Sequence, residues 1–251
     1  MEYTLKKSLG QHFLKDESVC KKIVTALGEH HLNKLVEVGP GGGALTKYLL
    51  ALEGIDFKAV ELDDEKVVYL EKKFPAIQGK IIHKSILDIE APFEEAFTLV
   101  GNFPYNISTQ IVFKVLEWKE QLPVMIGMFQ KEVAERIVSK PGSKVYGILS
   151  VLTQAFYETE YLFDVPPESF NPPPKIMSGV IRLVKKEYPV AVKTEKDLFV
   201  LVKAAFNQRR KMLRNAVRGL FEEEVLKDAI FNKRAEQLSV EQFAELSFRM
   251  R

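Results

Sequence analysis

Leu35-Val36-Glu37-Val38-Gly39-Pro40-Gly41-Gly42-Gly43 reads as a β-strand that runs straight into a glycine-rich turn, and helical spacing of apolar residues takes over from Gly43 to Leu52. Glycines in such a turn let the backbone pass close to a ligand, because no Cβ stands in the way. On both sides of this stretch the chain alternates short β-rich runs with helical patterns, the signature of a sheet covered by helices. The expected strands are Lys34 to Val38, Phe57 to Leu62, Lys80 to His83, Phe97 to Val100, Val124 to Phe129, Phe156 to Phe163 and Ser178 to Val184. Helical spacing is also found over Asp64 to Phe74, Ser108 to Trp118 and Lys131 to Ser139. The last two strands follow each other with no long helix between them, which predicts an antiparallel hairpin at one edge of a mostly parallel sheet. From Thr194 onward only helices are expected. A boundary near Tyr188-Pro189 therefore separates an α/β domain (1–188), Rossmann-like with seven strands, from a small all-helical domain (189–251).

The glycine spacing narrows the ligand. Gly39, Gly41 and Gly43 give GxGxG rather than the GxGxxG of a nicotinamide site, and Glu37 stands two residues upstream. This is similar to a loop for S-adenosylmethionine, a cofactor with no pyrophosphate to seat but with an ammonium and a sulfonium that a carboxylate can offset. Glu61 ends the second strand, where Rossmann-like folds place an acid to grip ribose hydroxyls. A tight structural turn at the glycines and a solvated carboxylate at Glu61 are the plainer alternatives.

After the fourth strand comes Gly101-Asn102-Phe103-Pro104-Tyr105-Asn106-Ile107-Ser108. An amine conjugated to a flat ring is a poor nucleophile. Two acceptors, the Asn102 side-chain oxygen and the Pro104 carbonyl, could bind its two hydrogens and favour the pyramidal form, while Tyr105 stacks on the ring. An ordinary turn would use the same Asn and Pro. The proline-stiffened run Val165-Pro166-Pro167-Glu168-Ser169-Phe170-Asn171-Pro172-Pro173-Pro174-Lys175 would hold Phe170 where it points, either as a second wall against a flipped base or as a core residue.

Composition excludes other classes. The 251 residues carry 36 basic and 34 acidic side chains, a net charge of +2, so contact with a polyanion must come from local patches. Cys20 is the lone cysteine, which rules out an internal disulfide framework and a multi-thiolate zinc site. His30, His31 and His83 show no metal-like spacing. With no apolar run of spanning length and no signal-peptide pattern at the start, a cytoplasmic protein free of the membrane is expected.

Taken in order, these motifs resemble the KsgA-type ribosomal RNA adenine dimethyltransferases over nearly the whole chain. The resemblance runs from Ser8-Leu9-Gly10-Gln11-His12-Phe13-Leu14 to Phe206-Asn207-Gln208-Arg209-Arg210-Lys211-Met212-Leu213-Arg214-Asn215. It implies dimethylation of the N6 amines of two adjacent adenines near the 3' end of 16S ribosomal RNA, in the small subunit or its precursor, by a monomer. It also implies cofactor contacts from Gln11, His12, Leu14, Gly39, Glu61, Ser85 and Asn102. Ser85 departs from the family's usual Asp, with Asp88 three residues on. Phe103 stands for a more frequent Leu.

From Leu198 to Phe221 there are six basic residues, Lys203, Arg209, Arg210, Lys211, Arg214 and Arg218, and no acidic one. In one continuous helix all but Arg209 would share a stripe roughly 100° wide, suited to phosphates, though a solvated basic face has the same pattern. Lys6, Lys7 and Lys175 could extend it. Rival readings are a large-subunit RNA methyltransferase, against which the Phe206 to Asn215 run stands, and a non-catalytic assembly factor, against which intact Glu37, Glu61, Asn102 and Tyr105 stand.

Overall fold

The structure, a computed structural model, describes residues 12–30 and 33–251. Its centre is a seven-stranded sheet of β1 (Lys34–Val38), β2 (Asp56–Glu61), β3 (Ile81–His83), β4 (Thr98–Asn102), β5 (Val124–Gln130), β6 (Tyr157–Val165) and β7 (Ser178–Lys185). Their spatial order is β3-β2-β1-β4-β5-β7-β6. Strands β3 to β5 in this order are parallel, and β7 is antiparallel to β5, with Val124 opposite Val184 and Gln130 opposite Ser178. All seven strands lie where apolar runs place them, shifted by a residue or two at their ends. The one refinement is that β7 inserts between β5 and β6, so the edge is β6.

Helices α1 (Glu17–Leu27), α2 (Thr46–Leu49), α3 (Asp64–Lys73), α4 (Ser108–Glu117) and α5 (Lys131–Val138) occur in chain order with these strands. Asp16 caps α1 by accepting the Ser18 and Val19 N–H groups, and Asp63 caps α3 through the Glu65 N–H. The helix expected over Gly43 to Leu52 shrinks to the four residues of α2. Gly43 cannot belong to it, because its φ of +77° lies outside the right-handed helical region and a Cβ there would meet the Phe74 ring at 2.3 Å. Parallel strands buried on both faces explain the near-continuous apolar runs of β1, β4 and β5.

The chain packs as two compact units, residues 12–134 with 160–184, and 135–159 with 185–251. A single cut near Tyr188 misses the excursion at 135–159. Its helix α6 (Ile148–Phe156) is buried almost all round, through Leu149, Val151, Leu152 and Ala155, as a helix packed among helices must be. Its neighbours are α7 (Glu195–Asn207) and α9 (Val240–Phe248), joined by the rings of Tyr146, Phe206 and Phe243. Beyond α7 come α8 (Leu213–Ala216) and several single 3-10 turns.

Candidate active site

Four strand ends meet along one pocket. The turn after β1 supplies Gly39, Pro40 and Gly41, the end of β2 supplies Glu61 and Leu62, and the end of β3 supplies Lys84 and Ser85. The end of β4 supplies Asn102, Phe103, Pro104 and Tyr105, while His12 and Leu14 close one side, and the pocket encloses about 180 Å³. Ligands of open α/β sheets bind here because the carboxyl ends of the strands leave a crevice.

A buried acid, Glu37, lines the pocket. Glu37 is only 2% exposed, one of its carboxylate oxygens has no hydrogen-bond partner, and burial in apolar surroundings pushes its carboxyl up to about 8, with the negative field of Glu61 adding to the rise. Glu61 is also raised by burial, an effect opposed by three backbone donors: the N–H groups of Asp63 at 3.0 Å, Gly41 at 3.2 Å and Leu62 at 2.9 Å. These bonds tie the glycine turn to the end of β2. Gly39 and Gly41 have φ of +67° and +54°, a region costly to any other residue, and a Cβ on Gly41 would strike the Phe13 ring at 2.8 Å. An orphaned buried carboxylate oxygen beside bare backbone suits the ammonium and sulfonium of S-adenosylmethionine, and Glu61 suits its ribose.

The loop after β4 is anchored from beneath. Gly101 and Gly127 face each other across β4 and β5, and a Cβ on either would lie within 3.0 Å of the Phe103 ring, at 2.8 and 2.2 Å. Phe103 therefore fills a slot left by two paired glycines and meets Phe129 edge-on at 5.1 Å. The sequence marks Phe103 only as a replacement for Leu; the signal for its role is the pair of glycines at equal depth in neighbouring strands. Above it, the Asn102 amide Nδ2 donates to the His12 carbonyl at 3.0 Å, which leaves Oδ1 as the end available to a ligand. The Pro104 carbonyl accepts the Ile107 N–H at 3.2 Å and keeps a second lone pair. Tyr105 hydrogen-bonds through its hydroxyl to Ser178, and its ring lies against that of His12, with centroids 5.5 Å apart and planes 29° apart.

Two expectations change. Phe170 does not wall the pocket: it is 1% exposed, paired with Leu14 in a short antiparallel bridge of Phe13–Leu14 with Phe170–Asn171, and packed into the core. The same prolines that make the loop stiff hold this ring inward. Ser85 lines the pocket, but its hydroxyl already accepts the Leu87 N–H at 3.2 Å as a turn cap, and Asp88 lies outside the lining. Ser85→Asp keeps that cap and adds a charge-assisted acceptor, so cofactor affinity is expected to tighten about three- to tenfold. Calorimetry with S-adenosylhomocysteine measures it, and unchanged or weaker binding would show that residue 85 makes no polar contact with the cofactor.

The basic stretch is not one helix. It breaks after Asn207, because residues 208–212 form a turn, and the expected stripe is lost. Arg209 turns inward, with Nε 2.5 Å from Glu236 and Nη2 donating to the Ser143 carbonyl at 3.1 Å. Arg214 bonds Asn232, and Arg218 lies 3.3 Å from Glu223. Lys203, Arg210, Lys211 and Arg218 remain exposed, with Arg210 and Lys211 at the tip of the turn. Gln11, Lys6, Lys7 and His31 lie outside the described residues.

The profile of the family described as ribosomal RNA adenine dimethylase matches residues 2–250. The chain is 50% identical to the ribosomal RNA small subunit methyltransferase A of Cytophaga hutchinsonii over 96% of its own length and 95% of the relative's. It is 51% identical to the protein of the same name from Flavobacterium johnsoniae, over 96% and 94%. Among solved structures, a dimethyladenosine transferase from Plasmodium falciparum shares the fold with a TM-score of 0.81 at 23% identity, over 94% of this chain and 96% of that one. The 23S rRNA methyltransferase ErmE does so with a TM-score of 0.72, again at 23% identity, over 95% and 99%.

Proposed function

The chain belongs to the ribosomal RNA adenine dimethylase family, and from that premise we propose how its residues carry out the reaction. It is an S-adenosylmethionine-dependent enzyme that dimethylates adenine in 16S ribosomal RNA, and its targets are two adjacent adenines of the 3'-terminal hairpin. When bound, S-adenosylmethionine supplies an electrophilic methyl group next to the β4 loop. Glu37 offsets the cofactor's positive charge and Glu61 takes its ribose hydroxyls. Asn102 Oδ1 and the Pro104 carbonyl accept the two hydrogens of the adenine N6 amine. That pairing turns the nitrogen lone pair out of conjugation with the ring. Tyr105 supplies a stacking face for the flipped base. No strong base is needed, because the amine becomes acidic once alkylated and its proton passes to water. Holding the reactants in alignment provides most of the rate.

The observation that carries this reading is the Asn102 amide, which lines the pocket and whose nitrogen is engaged by the His12 carbonyl, leaving its oxygen as the acceptor. One chain supplies the cofactor slot, both acceptors and the stacking ring, which supports action as a monomer. No helix among the described residues is long and apolar enough to cross a membrane, in keeping with action in the cytoplasm. Incubation with labelled S-adenosylmethionine and unmethylated small or large subunits tests the substrate: label on adenine of the small-subunit RNA is expected, and label on large-subunit RNA alone would transfer the reading to the other branch.

Arg210 and Lys211, exposed at the tip of the turn after α7, are the residues best placed for phosphates. Replacing both by Ala is expected to weaken small-subunit binding about tenfold at low salt and to lower the slope of log affinity against log salt by about 1 to 2. A titration at three salt concentrations reads both. An unchanged slope would show that the turn does not touch the backbone.

A further inference from the structure

The Tyr105 ring is held at both ends. At its backbone, the carbonyl accepts the Ser108 hydroxyl at 3.1 Å. At its far end, the phenol hydroxyl is hydrogen-bonded to that of Ser178. Ser178 is fully buried and opens β7, where it stands opposite Gln130 of β5. The chain is fastened on either side of it as well. The Met177 carbonyl accepts the Lys131 N–H at 3.0 Å, and Gly179 stands opposite Phe129, whose ring meets Phe103 edge-on. Ser178 itself does not line the pocket, so its hydroxyl reaches the reacting centre only through Tyr105.

We infer that Ser178 is a positioning residue that sets the plane of the Tyr105 ring, and that this anchor matters most for the second of the two methyl transfers. An aromatic ring on a short loop can swing about its Cα–Cβ and Cβ–Cγ bonds. A hydrogen bond from the far end of the ring to a residue paired within the central sheet removes that swing, because ring and loop are then tied to the same rigid frame. A base stacked on the ring takes over its plane, and with it the height of the amine relative to Asn102 Oδ1 and the Pro104 carbonyl. In the first transfer the amine offers two hydrogens, and both acceptors orient it. The sulfonium S–CH3 bond breaks as the N6–CH3 bond forms, S-adenosylhomocysteine leaves, and one N–H proton passes to water. The monomethylated amine returns with a single hydrogen. One acceptor then has no partner, and alignment depends more heavily on the stack. The inference rests on adenine as the doubly methylated target and deepens that reading.

The test is a double-mutant cycle of Ser178→Ala and Tyr105→Phe on unmethylated small subunits. Single-turnover rates are followed by nucleoside mass spectrometry, which separates N6-methyladenosine from N6,N6-dimethyladenosine. Ser178→Ala is expected to slow the second transfer about five- to tenfold and the first by no more than about threefold, so that the monomethylated base accumulates. Its affinity for S-adenosylhomocysteine should stay within about twofold of wild type, which also reports that the variant is folded. Tyr105→Phe keeps the ring and loses the same bond, so it must show the same accumulation with Ser178 in place. The double variant is expected to be no slower than the slower single variant, because both changes remove one interaction. Losses that multiply in the double variant, equal slowing of both transfers, wild-type rates in Ser178→Ala or a parallel loss of cofactor affinity would each overturn the assignment. Absence of methyl transfer to adenine by the wild type would instead sink the adenine reading itself.

Discussion

Asn102→Ala is expected to lower the single-turnover rate of methyl transfer by about 10²- to 10³-fold, the usual cost of removing one oriented polar group at a reacting centre, while small-subunit binding stays within about threefold. The split follows from what Asn102 touches. In the proposed reaction its Oδ1 is the acceptor for the reacting amine, whereas the phosphate contacts we propose lie on the turn at Arg210 and Lys211. Asn102→Asp is expected to fail as well, although it keeps acceptor oxygens. It replaces the amide that donates to the His12 carbonyl with an oxygen that is repelled by it. Equal loss of binding and turnover in Asn102→Ala would show that the residue holds RNA rather than orienting an amine.

Glu37→Gln separates stability from function. In the unfolded chain this carboxyl has its ordinary value of 4.5, and in the fold it is pushed up to about 8. The folded state therefore holds the proton more tightly. Its contribution is most favourable below pH 4.5 and is lost as pH rises toward 8. At pH 7 burying this group costs on the order of 3 kcal/mol, which Gln avoids, so the free variant is expected to melt several degrees higher. Cofactor binding moves the other way. Glu37 must ionise to meet the ammonium, so wild-type affinity for S-adenosylhomocysteine should rise from about pH 6 to about 7.5 with release of about one proton. Glu37→Gln should flatten that slope and weaken binding about 10- to 100-fold, the scale of a hydrogen bond to a charged group. Calorimetry in buffers of different ionisation enthalpy reads the proton. A variant that binds as tightly as wild type with the same slope would remove Glu37 from the cofactor site.

Both residues are legible in the sequence alone, because each stands at a strand end marked by glycine or proline. The strands themselves are legible for a related reason: apolar runs buried on both faces leave a pattern that local reading catches. What stays hidden depends on contacts between distant segments. Phe170 reads as a ring on a stiff loop that serves either as a second wall or as a core residue, and its pairing with Leu14, far away in sequence, together with its burial decides for the core. His12 reads as part of a cofactor segment, and its stack on Tyr105 joins residues more than ninety positions apart. The basic stretch misleads in a different way. Its stripe assumes a helix through Asn207, and nothing local announces that the helix ends there and that Arg209 pairs with Glu236, distant in sequence. Phe103 reads as a neutral exchange because its slot is made of two glycines that are partners only in the sheet.

The site converges on adenine N6 as the acceptor of two methyl groups. Nucleoside mass spectrometry of small-subunit RNA, isolated from unmethylated subunits after incubation with the protein and S-adenosylmethionine, measures this directly. The expected result is N6,N6-dimethyladenosine at two adjacent positions near the 3' end, absent when Asn102→Ala replaces the wild type. Methylation on any other base, or on a ribose hydroxyl, would contradict it.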